Sequence, residues 1–360
     1  MSWILPFVIA GDWHPAAHAF GHNRCRQHRE TRADHRQRDH EWGESMHGPR
    51  ALSGFIICAS LPYCRDIRCL TISPHAMLKS ILAASDLSTR STPAVQRAVQ
   101  LAQGFDAALC VLHVVEDDLF EDRMRDEIRS AEDYLTDQVA GFGKPQSGEV
   151  AVMTGHAFHV IGEEARVREA DLIVMGAHRR QFLRDVFVGT TVERVTRTAG
   201  RPVLMANSKT AARWRKVFIA TDMSEASGHA ARKAHDLGLL NDADVSFVHG
   251  YAPISRQMMT HAGIPAERVH EEAERDFQST RRELGRFIQS LDLGDLDYNA
   301  RIIEGVGADA IAGLVEQAKP DLLVIGTRGL SGIRRLFLGS VAQELMGSVE
   351  IDVLAVPPQA

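Results

Sequence analysis

The chain has 360 residues, 44% of them hydrophobic and 24% charged, with a formal net charge of −6. That length suits two domains better than one, and that composition suits globular domains with buried cores. The acidic balance excludes a global basic field for nucleic acid or anionic membrane, and no apolar run nears the roughly 18 residues needed to span a bilayer.

The first 76 residues stand apart. They hold nine Arg, no Lys and seven Asp or Glu, with eight of the 17 His and four of the five Cys. Met1–Ala10 is apolar but lacks a positive n-region, so it makes a poor signal peptide, and Ala51–Leu61 is too short to span. His14, His18 and His22 would share one helix face, but Pro15 and Gly21 break such a helix. Cys58, Cys64 and Cys69 lack the paired spacing of a zinc ribbon. The composition is that of a disordered extension, or of sequence lying ahead of a true start at Met77. Beyond it only Cys110 remains, inside an apolar run, where it reads as a small buried hydrophobe. No disulfide framework follows, and a reducing cytoplasm fits.

From Met77 onward the sequence repeats itself. Leu78–Ser88 (LKSILAASDLS) aligns with Trp214–Ser224 (WRKVFIATDMS), and Leu109–His113 (LCVLH) with Val245–His249 (VSFVH), both at an offset of 136. Ala170–Gly176 (ADLIVMG) aligns with Pro320–Gly326 (PDLLVIG), and Val188–Thr190 with Leu338–Ser340, at an offset of 150. Order is kept and one insertion of about 14 residues suffices, placed most simply around Tyr251–Pro265. This is the signature of a duplication.

Helices are expected between the strands. Thr92 and Pro93 resemble an N-cap and first-turn proline opening Ala94–Gln103. Asp122–Val139 and Glu267–Ile288 carry apolar residues at three- and four-residue spacing, and Val341–Met346 continues the helical pattern after Ser340. Short apolar strands alternating with such helices predict an α/β fold: two doubly wound, parallel-sheet, Rossmann-like domains, 77–209 and 214–360. Each reads β-α-β-α-β-α-β-α-β, ending in Val203–Ala206 and Ile351–Val356, with Ser208–Arg213 as connector.

In such sheets ligands bind outside the carboxyl ends of the strands. There the second copy carries Gly326-Thr-Arg-Gly329, nine residues, then Gly339-Ser340. Glycines let a backbone approach phosphate oxygens, and Ser340 can cap a helix whose N-terminus attracts an anion. Arg328, Arg334 and Arg335 add positive charge. Asp222, at a strand's end, can accept from ribose hydroxyls or cap the helix beginning near Ser224. A glycine-rich turn before an ordinary capped helix would use the same residues.

The motif G-x2-G-x9-G-[ST], with the strand-one Asp and strand-two His, resembles the universal stress protein family over residues 77–360. The resemblance implies the adenine-nucleotide alpha-hydrolase-like fold and ATP, with or without Mg, as ligand. It implies that Asp222 lies at the adenine and ribose end and that the main chain of Gly250 faces the adenine. Gly326 would lie near the ribose, with Gly329, Gly339 and Ser340 on the phosphates. The first copy keeps Asp86, Gly176, Gly189 and Thr190 but has Arg179 at the second glycine, so it departs from the pattern. Single-domain members dimerise through their last strands. The tandem is therefore expected to form an internal pseudo-dimer through Val203–Ala206 and Ile351–Val356, with a further homo-dimer open.

Competing motifs are weak. Gly305-Val-Gly307 imitates a dinucleotide fingerprint, but the next strand ends in Gly326-Thr-Arg without an acid. No GxxxxGK[ST], HExxH or GxSxG occurs, and His113 and His249 read as satisfied core histidines. No general base is evident, so an enzyme is not expected, and any ATPase activity would be slow. The expected role is a nucleotide-responsive stress module; a scaffold that binds no nucleotide is the alternative.

Overall fold

Among the described residues, ten strands and eight helices of eight or more residues follow Met77 along the chain. The computed structural model describes residues 77–116, 121–143, 145–176, 191–208, 213–253, 258–259, 261–328 and 338–359. The first half runs β1 (Ser80–Ser85), α1 (Thr92–Phe105), β2 (Ala108–Val115), α2 (Glu121–Phe142), β3 (Gly148–Thr154), α3 (Ala157–Val167), β4 (Leu172–Gly176), α4 (Thr191–Thr198) and β5 (Val203–Ala206). The second runs β6 (Lys216–Ala220), α5 (Glu225–Asp236), β7 (Asp244–Tyr251), α6 (Ala266–Gln289), β8 (Tyr298–Glu304), α7 (Gly307–Ala318), β9 (Leu322–Gly326), α8 (Ser340–Ser348) and β10 (Asp352–Val356).

The strands form one sheet in the order β3-β2-β1-β4-β5-β10-β9-β6-β7-β8. Within each half all pairings are parallel; β5 and β10 join the halves antiparallel, with Leu204 opposite Leu354 and Met205 opposite Val353. The inner strands are continuous apolar runs, as strands covered on both faces must be. LIVM of β4 and LLVI of β9 are wholly buried. The edge strands β3 (GEVAVMT) and β8 (YNARIIE) are only partly buried and carry polar residues.

Two cores flank the sheet. One packs α1, α2, α5 and α6 on it through residues such as Val95, Leu135, Ala231 and Leu284. The other packs α3, α4, α7 and α8 through Ile161, Val195, Ile311 and Leu345. Helices on both faces of a largely parallel sheet are the doubly wound fold expected for each copy.

The 14 additional residues of the second copy are spread over three places. Residues 116–120 link β2 to α2, whereas 252–265 link β7 to α6; α6 is two residues longer than α2, and 290–297 replace the shorter 143–147. Most of the insertion therefore lies in the loop after β7, where added length costs little closure entropy. Two helix starts differ from the sequence reading. Ser91, not Thr92, occupies the N-cap of α1, and its side chain caps nothing because its hydroxyl lies 3.0 Å from that of Ser85. Gly339, not Ser340, is the N-cap of α8, so Ser340 is the first helical residue.

Among the described residues no helix is long and apolar enough to cross a membrane. Residues 1–76, with their histidines and four cysteines, lie outside the described residues, as do Arg179, Gly189, Thr190, Gly329, Arg334 and Arg335.

Candidate functional site

In each half the strand order turns back on itself between the first and fourth strands: β1 beside β4, and β6 beside β9. A crevice opens at the carboxyl ends of two such strands because their following segments run to opposite faces of the sheet. In the second half, Asp222 follows β6 and Gly326 ends β9, so both stand at this switch point.

The turn after β6 is built from hydroxyls. Thr221 Oγ1 accepts from Met223 N–H (2.9 Å) and lies 2.8 Å from Ser227 Oγ. Met223 adopts a left-handed φ of 60°, uncommon without glycine, which turns the chain sharply into α5. Ser224 then caps α5 by accepting from Ser227 N–H (3.2 Å), and Asp222 Oδ1 accepts from Ser224 N–H (3.0 Å). Capping thus falls to Ser224, and Asp222 braces the turn ahead of it. The first copy repeats the device. Leu87 has φ 59°, its N–H donates to Ser85 Oγ (3.2 Å), and Asp86 Oδ1 accepts from Ser88 N–H (3.0 Å) and Ser88 Oγ (2.6 Å). Burial acts to raise the Asp86 pKa, but the hydrogen bonds from Ser88 and Ser91 outweigh it, and the net direction is down.

The two strand-end histidines are occupied in the same way. His113 Nδ1 lies 2.9 Å from Ser85 O, and His249 Nδ1 lies 2.8 Å from Thr221 O. A carbonyl only accepts, so Nδ1 carries a proton in each ring. Each ring holds the end of the first strand against the second, which is the role of a satisfied structural histidine. Gly250 follows His249 inside β7; a Cβ there would come within 2.7 Å of Gly305 O.

The glycine motif closes on itself. After Gly326, the Thr327 N–H donates to Val356 O (2.9 Å), and Thr327 O accepts from Gly339 N–H (2.8 Å). One buried threonine thereby brings Gly339 back beside Gly326 and sets the start of α8 at the strand ends. Gly339 has no side chain to occupy the first-turn N–H groups of α8, and a Cβ there would press within 3.3 Å of Thr327 O. Ser340 is exposed and Arg328 half-buried. This is a fit for an anionic group: a helix N-terminus that no side chain among the described residues caps, reached over bare backbone. Gly326 has a second reason to be glycine, since a Cβ would meet Ala226 O at 3.0 Å in the first turn of α5. In the first copy a Cβ on Gly176 would meet Arg90 O at 2.7 Å.

The structure therefore gathers Asp222, Gly250, Gly326, Gly339 and Ser340 around the carboxyl ends of β6, β7 and β9, and places Asp86 and Gly176 equivalently at β1 and β4. The sequence reading missed the hydroxyl pairs Ser85–Ser91 and Thr221–Ser227. Their signal was present, because both members recur at the 136-residue offset. A cleft of about 100 Å³ lies elsewhere, between α1 and the turn that follows α5, lined by Arg97, Gln100, Phe105, Arg213, Trp214 and Leu239 among others.

Fold and site define a tandem of doubly wound α/β domains, each with a glycine-bearing crevice at its switch point. The chain belongs to the universal stress protein family, whose model matches residues 77–207 and again 213–357. A universal stress protein of Methanocaldococcus jannaschii is 30% identical over 144 residues, spanning 40% of this chain and 82% of that one. One from Thermus aquaticus is 29% identical over 136 residues, spanning 36% of this chain and 98% of the relative. The crystal structure of a universal stress protein from Archaeoglobus fulgidus superposes with a TM-score of 0.55 at 15% identity, covering 78% of this chain and 98% of that chain, which is a likeness of fold.

Proposed function

We propose that the second domain binds ATP at the switch point between β6 and β9 and that the protein acts as a nucleotide-responsive regulatory module. The observation carrying this reading is the closure of the motif through Thr327, which seats Gly339 and the uncapped start of α8 beside Gly326 and the Asp222 turn. In this reading the N–H groups of the α8 first turn, the Ser340 hydroxyl and the backbone at Gly329 and Gly339 hold phosphate oxygens. Asp222 accepts from ribose hydroxyls, and the backbone of Gly250 faces the base. Bound ATP brings its own negative charge to a helix N-terminus, and Mg would neutralise part of that charge. The site offers binding groups, and His249 Nδ1 is committed to Thr221 O. The first domain, with Arg179 at the second glycine, is the altered twin, which gives one competent site per chain. Cys110, the free thiol among the described residues, accords with a reducing cytoplasm.

A scaffold that binds no nucleotide is the rival, and the packing of Gly326 on Ala226 favours it in one respect, because that glycine is explained without a ligand. Isothermal titration of the full chain with ATP decides between them. Wild type is expected to take up one ATP, and Gly329→Arg, which copies the first domain's residue, to weaken binding at least about tenfold, or 1.4 kcal/mol. Absence of binding heat in wild type overturns the reading in favour of the scaffold. Turnover of several ATP per second would instead make the protein an enzyme.

A further inference from the structure

The seam between the halves contains a buried polar cluster that the pseudo-symmetry does not repeat. Asp352, at the start of β10, is fully buried, and four donors surround its carboxylate. Oδ1 accepts from the N–H groups of Asn207 (3.0 Å) and Ser208 (2.9 Å), which follow β5 of the first half. Oδ2 accepts from Trp214 Nε1 (2.9 Å) and lies 3.0 Å from Nε of Arg97, an α1 residue that is itself buried. The Arg97 guanidinium also lies over the Trp214 ring, 5.0 Å from its centre.

Leu204 and Leu354 face each other across the seam and are equivalent at the 150-residue offset, so a pseudo-dyad passes between them. Rotation about it exchanges Asp352 with Pro202, and Asn207 and Ser208 with Pro357 and Pro358; the 136-residue offset exchanges Arg97 with Lys233. Two second domains joined by their β10 strands would therefore present prolines, which have no N–H, to each Asp352 Oδ1. A carboxylate oxygen buried without donors is strongly unfavourable. Two first domains joined by β5 would set Arg97 against Pro202, which offers no carboxylate. Only the unlike pair matches all four donors to the acceptor.

We infer that the Asp352 cluster is a selectivity device: the β10 edge of the second domain accepts a first-domain β5 edge as partner and rejects a second copy of itself. The short connector makes the unlike pairing quick, and the cluster makes it exclusive. This concerns the seam and is independent of nucleotide binding.

The test uses the full chain with a protease recognition sequence in place of residues 209–212, cut after folding, and native mass spectrometry to sort the pieces. The nicked wild type is expected to persist as a one-to-one heterodimer. Arg97→Met with Asp352→Leu removes the groups that like pairs would strand, and homodimers are expected to rise at least about tenfold. Lys233→Arg with Pro357→Asn and Pro358→Ser leaves the native cluster intact and supplies the missing donors, so second-domain homodimers are expected to rise comparably even if the first variant fails to fold. The inference is overturned if the nicked wild type scatters into homodimers or separate halves, or if the donor-supplying variant stays as exclusively heterodimeric as wild type.

Discussion

At the scale of single residues, the same chemistry serves different ends according to its surroundings. Cys110 is a thiol on β2 under a layer of apolar side chains, and burial pushes its pKa up to about 11. The thiolate is the reactive form, so Cys110 is expected to alkylate about a hundredfold more slowly than an ordinary free cysteine at neutral pH. Peptide mass spectrometry after iodoacetamide treatment, with and without denaturant, checks this; ready labelling of the folded protein would refute it. The linkage has a definite sign. A thiol whose folded pKa is raised stabilises the protein fully below its unfolded pKa, and that contribution is lost as pH rises from about 9 toward about 11. The residues of the candidate site were legible for a different reason. Glycines, an Asp-x-Ser turn and a strand-end histidine recur at constant offsets, and recurrence singles them out. The histidines read as satisfied core residues, but what the Asp does locally and which group holds each ring were not legible. Ser224 rather than Asp222 caps α5, and each histidine is fixed by a carbonyl on the neighbouring strand.

At the scale of elements, the packing of each fourth strand on a helix start decides how the crevice is shaped. Gly176 ends β4 against Arg90 and Ser91, and Gly326 ends β9 against Ala226 and Ser227. A methyl group would need 2.7 Å from Arg90 O at the first position and 3.0 Å from Ala226 O at the second. Both contacts are with backbone, which cannot rotate aside. Gly176→Ala and Gly326→Ala are each expected to lose about 1–3 kcal/mol in urea denaturation, with Gly176→Ala the costlier. Equal or reversed costs would show that the helix starts shift freely. Strand identity and helix faces were readable from apolar runs and three- to four-residue spacing, whereas helix starts were not. At α1 the N-cap position falls to Ser91 rather than Thr92, and its side chain does not cap the helix because its hydroxyl is turned to Ser88 O and the Ser85 hydroxyl.

At the scale of the whole molecule, the halves behave as one sheet because β5 and β10 share backbone hydrogen bonds and the Asp352 cluster lies across them. Removing the carboxylate leaves Arg97, the Trp214 indole and two backbone N–H groups without it. Asp352→Ala is expected to destabilise the protein by about 3–5 kcal/mol, as breaking a buried ion pair does, and to split thermal unfolding into two transitions. Calorimetry reads both; a single unshifted transition would mean that the cluster adds nothing to coupling of the halves.

The duplication, the alternation of strands and helices, the glycine motif and the altered Arg179 were all determined by sequence alone, because each rests on local periodicity or on repetition along the chain. The tertiary structure decided what depends on groups far apart in sequence. Arg97 and Asp352 are each the one charged residue of their element, and neither carries any local mark of its partner. Their pairing arises from an antiparallel seam that brings α1 of one half to the last strand of the other, and only there does a buried carboxylate meet enough donors to be stable.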